Sequence, residues 1–468
     1  MKKTLTSLAA LALLSACSLA PVYQRPAAPV TAGWPQGDAY KPAAIAAGSK
    51  TAADIQWREF ITDPQLRELI ELALANNRDL RVSALNIEKA RAQYGIQRAA
   101  QLPTVSASGA QNANRAPDNM SAGGQGTISR QYSANLGVAA YELDFFGKVR
   151  SLSEAALQQY LGTEEARRAQ QISLVAEVAN TYLTLLADSE RLRLAADTLK
   201  SQQITHELSK RRFSAGATSG LDMYEAQTSV EAARNDMAVF TAQVAEDRNA
   251  LALLVGGPLP ATMAAQEALH DVAALAELPA GVPSDVLQRR PDVLGAERTL
   301  QAANADIGAA RAAFFPSISL TATAGSASGS LSGLFKAGSG AWSFIPQIHL
   351  PIFDGGANRA NLAVANVERD IAVARYEKAI QAAFREVADA LAQRGTLDER
   401  LASQAALVDA ATRSFTIHQA RYSKGADSYL NALVSQRALY AAQQSLISAR
   451  LAKAGNQVTL YKVLGGGA

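Results

Sequence analysis

Apolar and polar residues alternate along this chain with two different periods. In four short stretches the period is two. In 131–140, Tyr132, Ala134, Leu136, Val138 and Ala140 fall on one side, and Gln131, Ser133 and Asn135 on the other. In 317–324, Ile318, Leu320, Ala322 and Ala324 alternate with Ser317, Ser319, Thr321 and Thr323. Residues 103–113 and 342–352 repeat the pattern more weakly, the latter through Trp342, Phe344, Ile348 and Leu350. Such alternation predicts strands with one apolar and one polar face. Their length, about 9–11 residues, is that of a tilted strand crossing a membrane. Alternation alone does not exclude a soluble sandwich. Gly/Ser-rich polar loops, 114–130 and 325–341, lie between the strands of each pair.

Elsewhere the period is helical. From Lys148 to Arg212 the only Gly or Pro is Gly162, and from Ala357 to Lys424 it is Gly395. A continuous helix of about 65 residues spans roughly 100 Å, far beyond the usual globular helix. Val373, Tyr376, Ile380, Phe384, Val387 and Leu391 recur in steps of three and four, a seam for packing on neighbouring helices. Each long helix (148–212, 357–424) is followed by a glycine, Gly216 or Gly425, and then by a returning helix (219–254, 427–464). Helical patterning also starts at Asp63-Pro64, a cap followed by proline in the first turn, and continues to about Gln101.

These elements occur twice. RRFSAGATSGLDMYEAQ in 211–257 matches ARYSKGADSYLNALVSQ in 420–466 without a gap, so Arg212 falls on Arg421, Gly216 on Gly425, Leu221 on Leu430 and Gly256-Gly257 on Gly465-Gly466. RAAQLPTVS (98–106) is echoed by RAAFFPSIS (311–319). The unit is far longer than a solenoid repeat, so the protomer is an internal duplication. The first repeat is assigned to 63–257, with strands at about 103–113 and 131–145. A connection occupies 258–290. The second repeat covers 291–468, with strands at about 315–325 and 342–352. Four strands cannot close a barrel, and open edges do not sit in lipid. Three chains give twelve strands, an even number in the range of outer-membrane barrels, although closure alone admits other multiples.

The N-terminus adds an address. Lys2 and Lys3, the apolar run Leu5–Leu14, and the small residues before Cys17 read as a signal peptide over 1–16, too short to span a bilayer. Residues 17–62, rich in Pro and Ala, read as an extended tether. Cys17 is the sole cysteine, so neither a disulfide framework nor a cysteine nucleophile is available. The formal charge is +3 over 468 residues, and two of those charges lie in the signal, so no basic patch calls for nucleic acid. His206, His270, His349 and His418 lack metal-ligand spacing. No phosphate loop or HExxH appears, so no cofactor, metal or enzymatic site is expected. Asp144 and Asp354 adjoin strand-to-helix junctions, where capping is expected. Asp285 and Asp292 flank Arg289-Arg290, an expected structural ion pair. Phe314-Phe315-Pro316 fits an interfacial aromatic belt or a packed elbow.

PSDVLQRRPDV (283–293), AAFFPSISL (312–320), YELDFFGKVRS (141–151), LPIFDGG (350–356) and the LSAC of 14–17 together resemble the outer-membrane efflux proteins, in particular the TolC/OprM-type outer-membrane factors of tripartite resistance-nodulation-division pumps. The resemblance covers the mature chain. It implies an α+β membrane protein: a homotrimer with a twelve-stranded outer-membrane barrel, four strands per chain, continued by a long α-helical periplasmic tunnel. It also implies a passive exit duct for drugs and other small toxic compounds, driven by an inner-membrane pump through a periplasmic adaptor. Cys17 is then the lipidated residue, and Ser18 after it points to the outer membrane. Hairpin tips meeting the adaptor would comprise Ser214, Gly216, Ser219, Ser423, Gly425 and Ser428. A periplasmic gate would place Leu430 at a leucine constriction and Arg437 within reach of ion pairing. The usual aspartate of that gate falls on Val434, so any acidic ring would come from Asp222 and Glu225. Two alternatives stand beside this reading: an exit duct for type I protein secretion, and a lipid-anchored coiled-coil scaffold without a pore.

Overall fold

The computed structural model describes residues 19–41, 54–117, 128–260 and 284–466. Cys17 and His270 lie outside this set. Two compact units emerge, each assembled from three chain segments. One gathers the chain up to Ala27 with Asn86–Glu164 and Gly295–Tyr376. The other gathers Ala28–Leu85, Glu165–Leu294 and Glu377 onward.

In the first unit the strands β1 (Val105–Arg115), β2 (Ile128–Leu143), β3 (Ser317–Ser328) and β4 (Gly340–His349) form one antiparallel sheet in chain order. Register sorts the side chains. Val105 pairs with Val138, Val138 with Ala322 and Ala322 with Phe344. Leu320 pairs with Tyr141 and Pro346, and Ile318 with Leu143 and Ile348. Paired residues share a face, so this face is apolar from edge to edge. It is also uncovered: Trp342 is 78% and Ile348 72% exposed. The opposite face carries Ser106, Asn135, Ser319, Thr321 and Thr323, with the Thr323 and Ser343 hydroxyls 2.7 Å apart.

The alternation read from sequence slips once. A bulge between Val138 and Tyr141 adds a residue to β2 opposite β3, and Ala140 takes a positive φ of 51° there. The Ala140 N–H donates to Thr321 Oγ1 at 3.0 Å. Tyr141 and Leu143 thereby join the face of Leu136 and Val138, and Ala140 does not continue it. Strand ends also shift. Phe315 and Pro316 precede β3 because the Phe315 N–H closes a turn on the Ala312 carbonyl, and β4 stops before Leu350-Pro351. β2 starts at Ile128, inside the expected loop, with Ser129 and Arg130 paired to Asn114 and Ala113.

Beyond a single helical turn at Trp57–Phe60, the helices are α1 (Pro64–Asn76), α2 (Arg78–Ala99), α3 (Lys148–Ser214), α4 (Gly220–Val255), α5 (Pro291–Ala312), α6 (Ala357–Ser423) and α7 (Tyr429–Val463). Asp63 caps α1 by accepting from Leu66 N at 2.6 Å. The helical run to Gln101 is broken at Asn77, whose Oδ1 accepts from Leu80 N at 3.0 Å while its Nδ2 donates to the Leu254 carbonyl at 2.9 Å. That side chain starts a new helix and ties it to α4. α5, preceded by a short 3-10 turn at Ser284–Arg289, begins on Pro291 as proline at the first helical position favours. The long helices are single elements of 67 residues each. Asp144 and Asp354 cap their starts, accepting from Val149 and Arg150 N and from Gly356 and Asn358 N. Phe315 stacks on Phe146 at 4.8 Å, so it packs the elbow.

Residues 19–41 run irregularly along these helices. In the first unit Arg25 grips Glu297, Asn304 Nδ2 donates to the Pro21 carbonyl and Arg311 to that of Leu19. In the second, Trp34 stacks on Phe384 at 4.9 Å and Lys41 pairs with Glu399 at 2.9 Å. The second unit's core includes Leu66, Ile70, Val178, Leu183 and Leu251, with Phe60 stacked on Tyr461 at 4.1 Å. Arg290 lies buried between Asp292, Glu386 and the Val463 carbonyl. Arg289 instead reaches Asp54 at 3.5 Å, and the Asp285 side chain is outside the described set. The expected ion pair therefore belongs to Arg290 with one of its two flanking acids, and Glu386 supplies the other partner.

Candidate functional site: the two helical turns

Both turns lie in the second unit and are built alike. Gly216 (φ 69°) and Gly425 (φ 73°) occupy the left-handed region that ends a helix. Ala217 N donates to the Arg212 carbonyl at 2.8 Å and Gly216 N to Phe213 at 2.9 Å. In the second turn Ala426 N donates to Arg421 at 2.9 Å and Gly425 N to Tyr422 at 3.0 Å. Ser214 and Ser423 hydroxyls each donate to a carbonyl three residues back, at 2.8 Å. Ser219 and Ser428 are the N-caps of α4 and α7, accepting from Asp222 N and Asn431 N at 3.4 Å. A repeat visible in sequence is thus repeated hydrogen bond by hydrogen bond.

The starts of α4 and α7 meet. Ala226 of α4 packs with Tyr422, Tyr429, Ala432 and Leu433 in one buried cluster. The Arg212 guanidinium lies over the Tyr422 ring at 5.1 Å. Glu225, Arg437 and Asp222 stand near enough to Tyr429 to act on its hydroxyl, which burial, with Tyr422 beside it, pushes up to about 12. Tyr429, Ala432 and Leu433 are turned inward, whereas Leu430 (51% exposed) and Val434 (57%) occupy an exposed flank of α7. Asp222 is engaged: its carboxylate accepts from the Thr218 hydroxyl, while its backbone N–H donates to the hydroxyl of the N-cap Ser219. Glu225 carries no such commitment among the described bonds.

Sequence reasoning did not single out Asp427. Its carboxylate gathers Asn431 Nδ2 (2.6 Å), His418 Nδ1 (2.8 Å), Ser428 N (2.9 Å) and Arg421 Nε (3.5 Å). The Asn431 amide first, then His418, holds its pKa down at about 2. Gapless repeat alignment puts Thr218 at the equivalent position, so the second turn carries a charged clasp where the first has a hydroxyl. That substitution was the available signal. Tyr422 and Tyr429 were masked by the same alignment, which sets them against Phe213 and Gly220.

Among the described residues no cluster of His, Cys, Asp or Glu suits a metal, and no helix is long and apolar enough to cross a membrane.

The outer membrane efflux protein family model matches residues 69–257 and 282–466. The chain belongs to this family. It is 52% identical over 468 residues to the toluene efflux pump outer membrane protein TtgC of Pseudomonas putida, covering all of this chain and 96% of that one. It is 45% identical to the outer membrane protein OprJ of Pseudomonas aeruginosa, over 97% of this chain and 94% of OprJ. The open-state MtrE outer membrane channel of Neisseria gonorrhoeae superposes with a TM-score of 0.87 at 38% identity, over 96% of this chain and 98% of MtrE. A crystal structure of a membrane protein from Pseudomonas aeruginosa gives 0.89 at 43% identity, over 96% and 100%. The efflux protein described here is accordingly an outer-membrane channel component of an efflux system. The match breaks off within the connection, between residues 257 and 282, where the two repeats join.

Proposed function

We propose that three copies of this chain form a passive exit duct for small toxic organic compounds and antibiotics, fed by an inner-membrane pump through a periplasmic adaptor. The observation that carries this reading is the sheet, whose apolar face is uncovered and whose outer strands, β1 and β4, have no further neighbour among the described strands. Lipid accepts such a face but not such edges. Joining β4 of one copy to β1 of the next closes twelve strands without altering any pairing within the chain. The relatives named for toluene and antibiotic efflux supply the cargo class.

On this reading the turns at Ser214, Gly216 and Ser219, and at Ser423, Gly425 and Ser428, face the adaptor. Leu430 and Val434 narrow the lumen, Glu225 with Asp222 supplies its negative charge, and Arg437 balances Glu225 beside Tyr429. Cys17 carries the lipid anchor. Reconstitution of the purified protein into planar bilayers tests the duct: stable, stepwise conductance from a trimer is expected. A protein that restores neither conductance nor solvent and antibiotic tolerance to a strain deleted for it would overturn the reading.

A further inference from the structure

In the second unit, Asp188 of α3 faces Asp247 of α4, and the polar balance there is uneven. The Asp188 side chain is more than nine-tenths buried and ion-paired to Arg191 one turn on. Arg191 Nη2 also donates to Ser448 Oγ of α7 at 2.8 Å. Asp247 Oδ2 is buried and meets no donor, and neither do the neighbouring Ser189 Oγ and Glu190 Oε2. The other Glu190 oxygen accepts from Arg450 of α7 at 3.3 Å. The carboxyl of Asp247 lies within hydrogen-bonding reach of the Asp188 carboxylate.

Two ionised carboxylates offer acceptors only, so they hold each other only with a proton between them. The charged groups that act on Asp247 are Asp188 and Arg191 from α3 and Glu246 from its own helix. Arg191, the cation among them, is bonded to Asp188 and Ser448, so among the described bonds Asp247 has no ion pair of its own. A buried carboxylate without a donor or a cation is costly, and a proton removes that cost.

We propose that Asp188 and Asp247 form a partly buried proton-binding site that fastens α3 to α4 when occupied and releases them when empty. Burial, and then the Asp188 charge, push the Asp247 carboxyl up to about 6. A carboxyl raised in the folded state binds its proton more tightly there than in an opened one. Its contribution is complete below the ordinary carboxylate range, near pH 4, and is lost as pH rises through about 6. The first hairpin is thus held more tightly on the acid side of neutrality. The site lies apart from the turns and does not depend on which compounds the duct carries.

Hydrogen exchange of the full-length protein in detergent, corrected for intrinsic rates, reads the site through peptides covering 184–192 and 243–251. In wild type, protection of these peptides falls roughly tenfold per pH unit between about pH 4 and 6 and then levels. Asp247→Asn, whose amide donates to Asp188 without titrating, is expected to keep protection flat over the same range. Asp188→Asn removes the neighbouring charge and is expected to move the transition to lower pH. A flat wild-type profile, or an Asp247→Asn profile as steep as wild type, overturns the proposal. The wild-type measurement stands even if either variant fails to assemble.

Discussion

Arg25 holds Glu297 with two nitrogens, Nε to Oε1 at 2.8 Å and Nη2 to Oε2 at 2.7 Å, while Tyr23 donates its hydroxyl to the same carboxylate at 3.0 Å. Glu297 is buried, and its partners all come from the N-terminal strap. Replacing Arg25 leaves that carboxylate a single donor. Arg25→Ala is expected to cost about 1–3 kcal/mol, reduced from the fully buried case because Arg25 is itself half exposed. Limited proteolysis checks it: cleavage within 19–41 should quicken in Arg25→Ala while the sheet stays intact.

Two glycines leave room for the strap. A Cβ at Gly395 would stand 2.0 Å from the Ala39 carbonyl oxygen, and one at Gly308 would stand 2.6 Å from Ser151 Oγ and 2.8 Å from the Ala20 Cβ. Backbone cannot yield at the first site as a side chain can, so Gly395→Ala should displace the strap more than Gly308→Ala. A loss of about 1–3 kcal/mol follows from overpacking. The same proteolysis assay orders them, with Gly395→Ala the more susceptible. Equal resistance to wild type would mean the strap accommodates a methyl group there.

The period-two stretches were legible because one face meets a different medium from the other, and the register then put Ile318, Leu320 and Ala322 on the face of Phe344 and Ile348. The bulge at Ala140 was not, because an inserted residue leaves local alternation looking intact until its partner strand is known. Asn77 hid inside a helical run for a similar reason: its break depends on a carbonyl 177 residues away. At the turns, the glycines and capping serines were legible from the repeat. Asp427 was not, since its worth comes from His418 and Asn431 converging on it in space. Leu430 and Val434 were singled out only through family resemblance, and the structure adds that both are exposed and outside the buried cluster.

Asp427 makes the second turn insensitive to mild acid. Its carboxyl is lowered by Asn431 and then His418 to about 2, so its clasp is complete above the ordinary carboxylate range and is lost only as pH falls through about 2. Hydrogen exchange over 424–431 should therefore be equally protected at pH 7 and pH 5. Asp427→Asn is expected to raise exchange in this segment at both values, leaving 215–222 unchanged. A wild-type turn that loosens between pH 7 and 5 would show that Asp427 is not its main tie.

The last prediction separates the residues proposed to shape the gate. Leu430 is half exposed and lies away from the Tyr422–Tyr429 cluster, so truncating it removes little packing. Leu430→Ala should raise single-channel conductance and admit bulky antibiotics, with trimer assembly unchanged. Charge selectivity should follow Glu225 rather than Asp222. Asp222 already accepts from the Thr218 hydroxyl, whereas the Glu225 carboxylate, near Tyr429, has no hydrogen bond of its own among the described bonds. Rings of carboxylates favour cations in a pore. Glu225→Gln is therefore expected to lower the cation-to-anion permeability ratio more than Asp222→Asn, which keeps the Ser219 cap on the backbone N–H of residue 222 and loses only a negative charge in the first turn of α4, about 0.3–1 kcal/mol. Reversal potentials under a salt gradient decide between them: a larger shift in Asp222→Asn than in Glu225→Gln would move the acidic ring to Asp222.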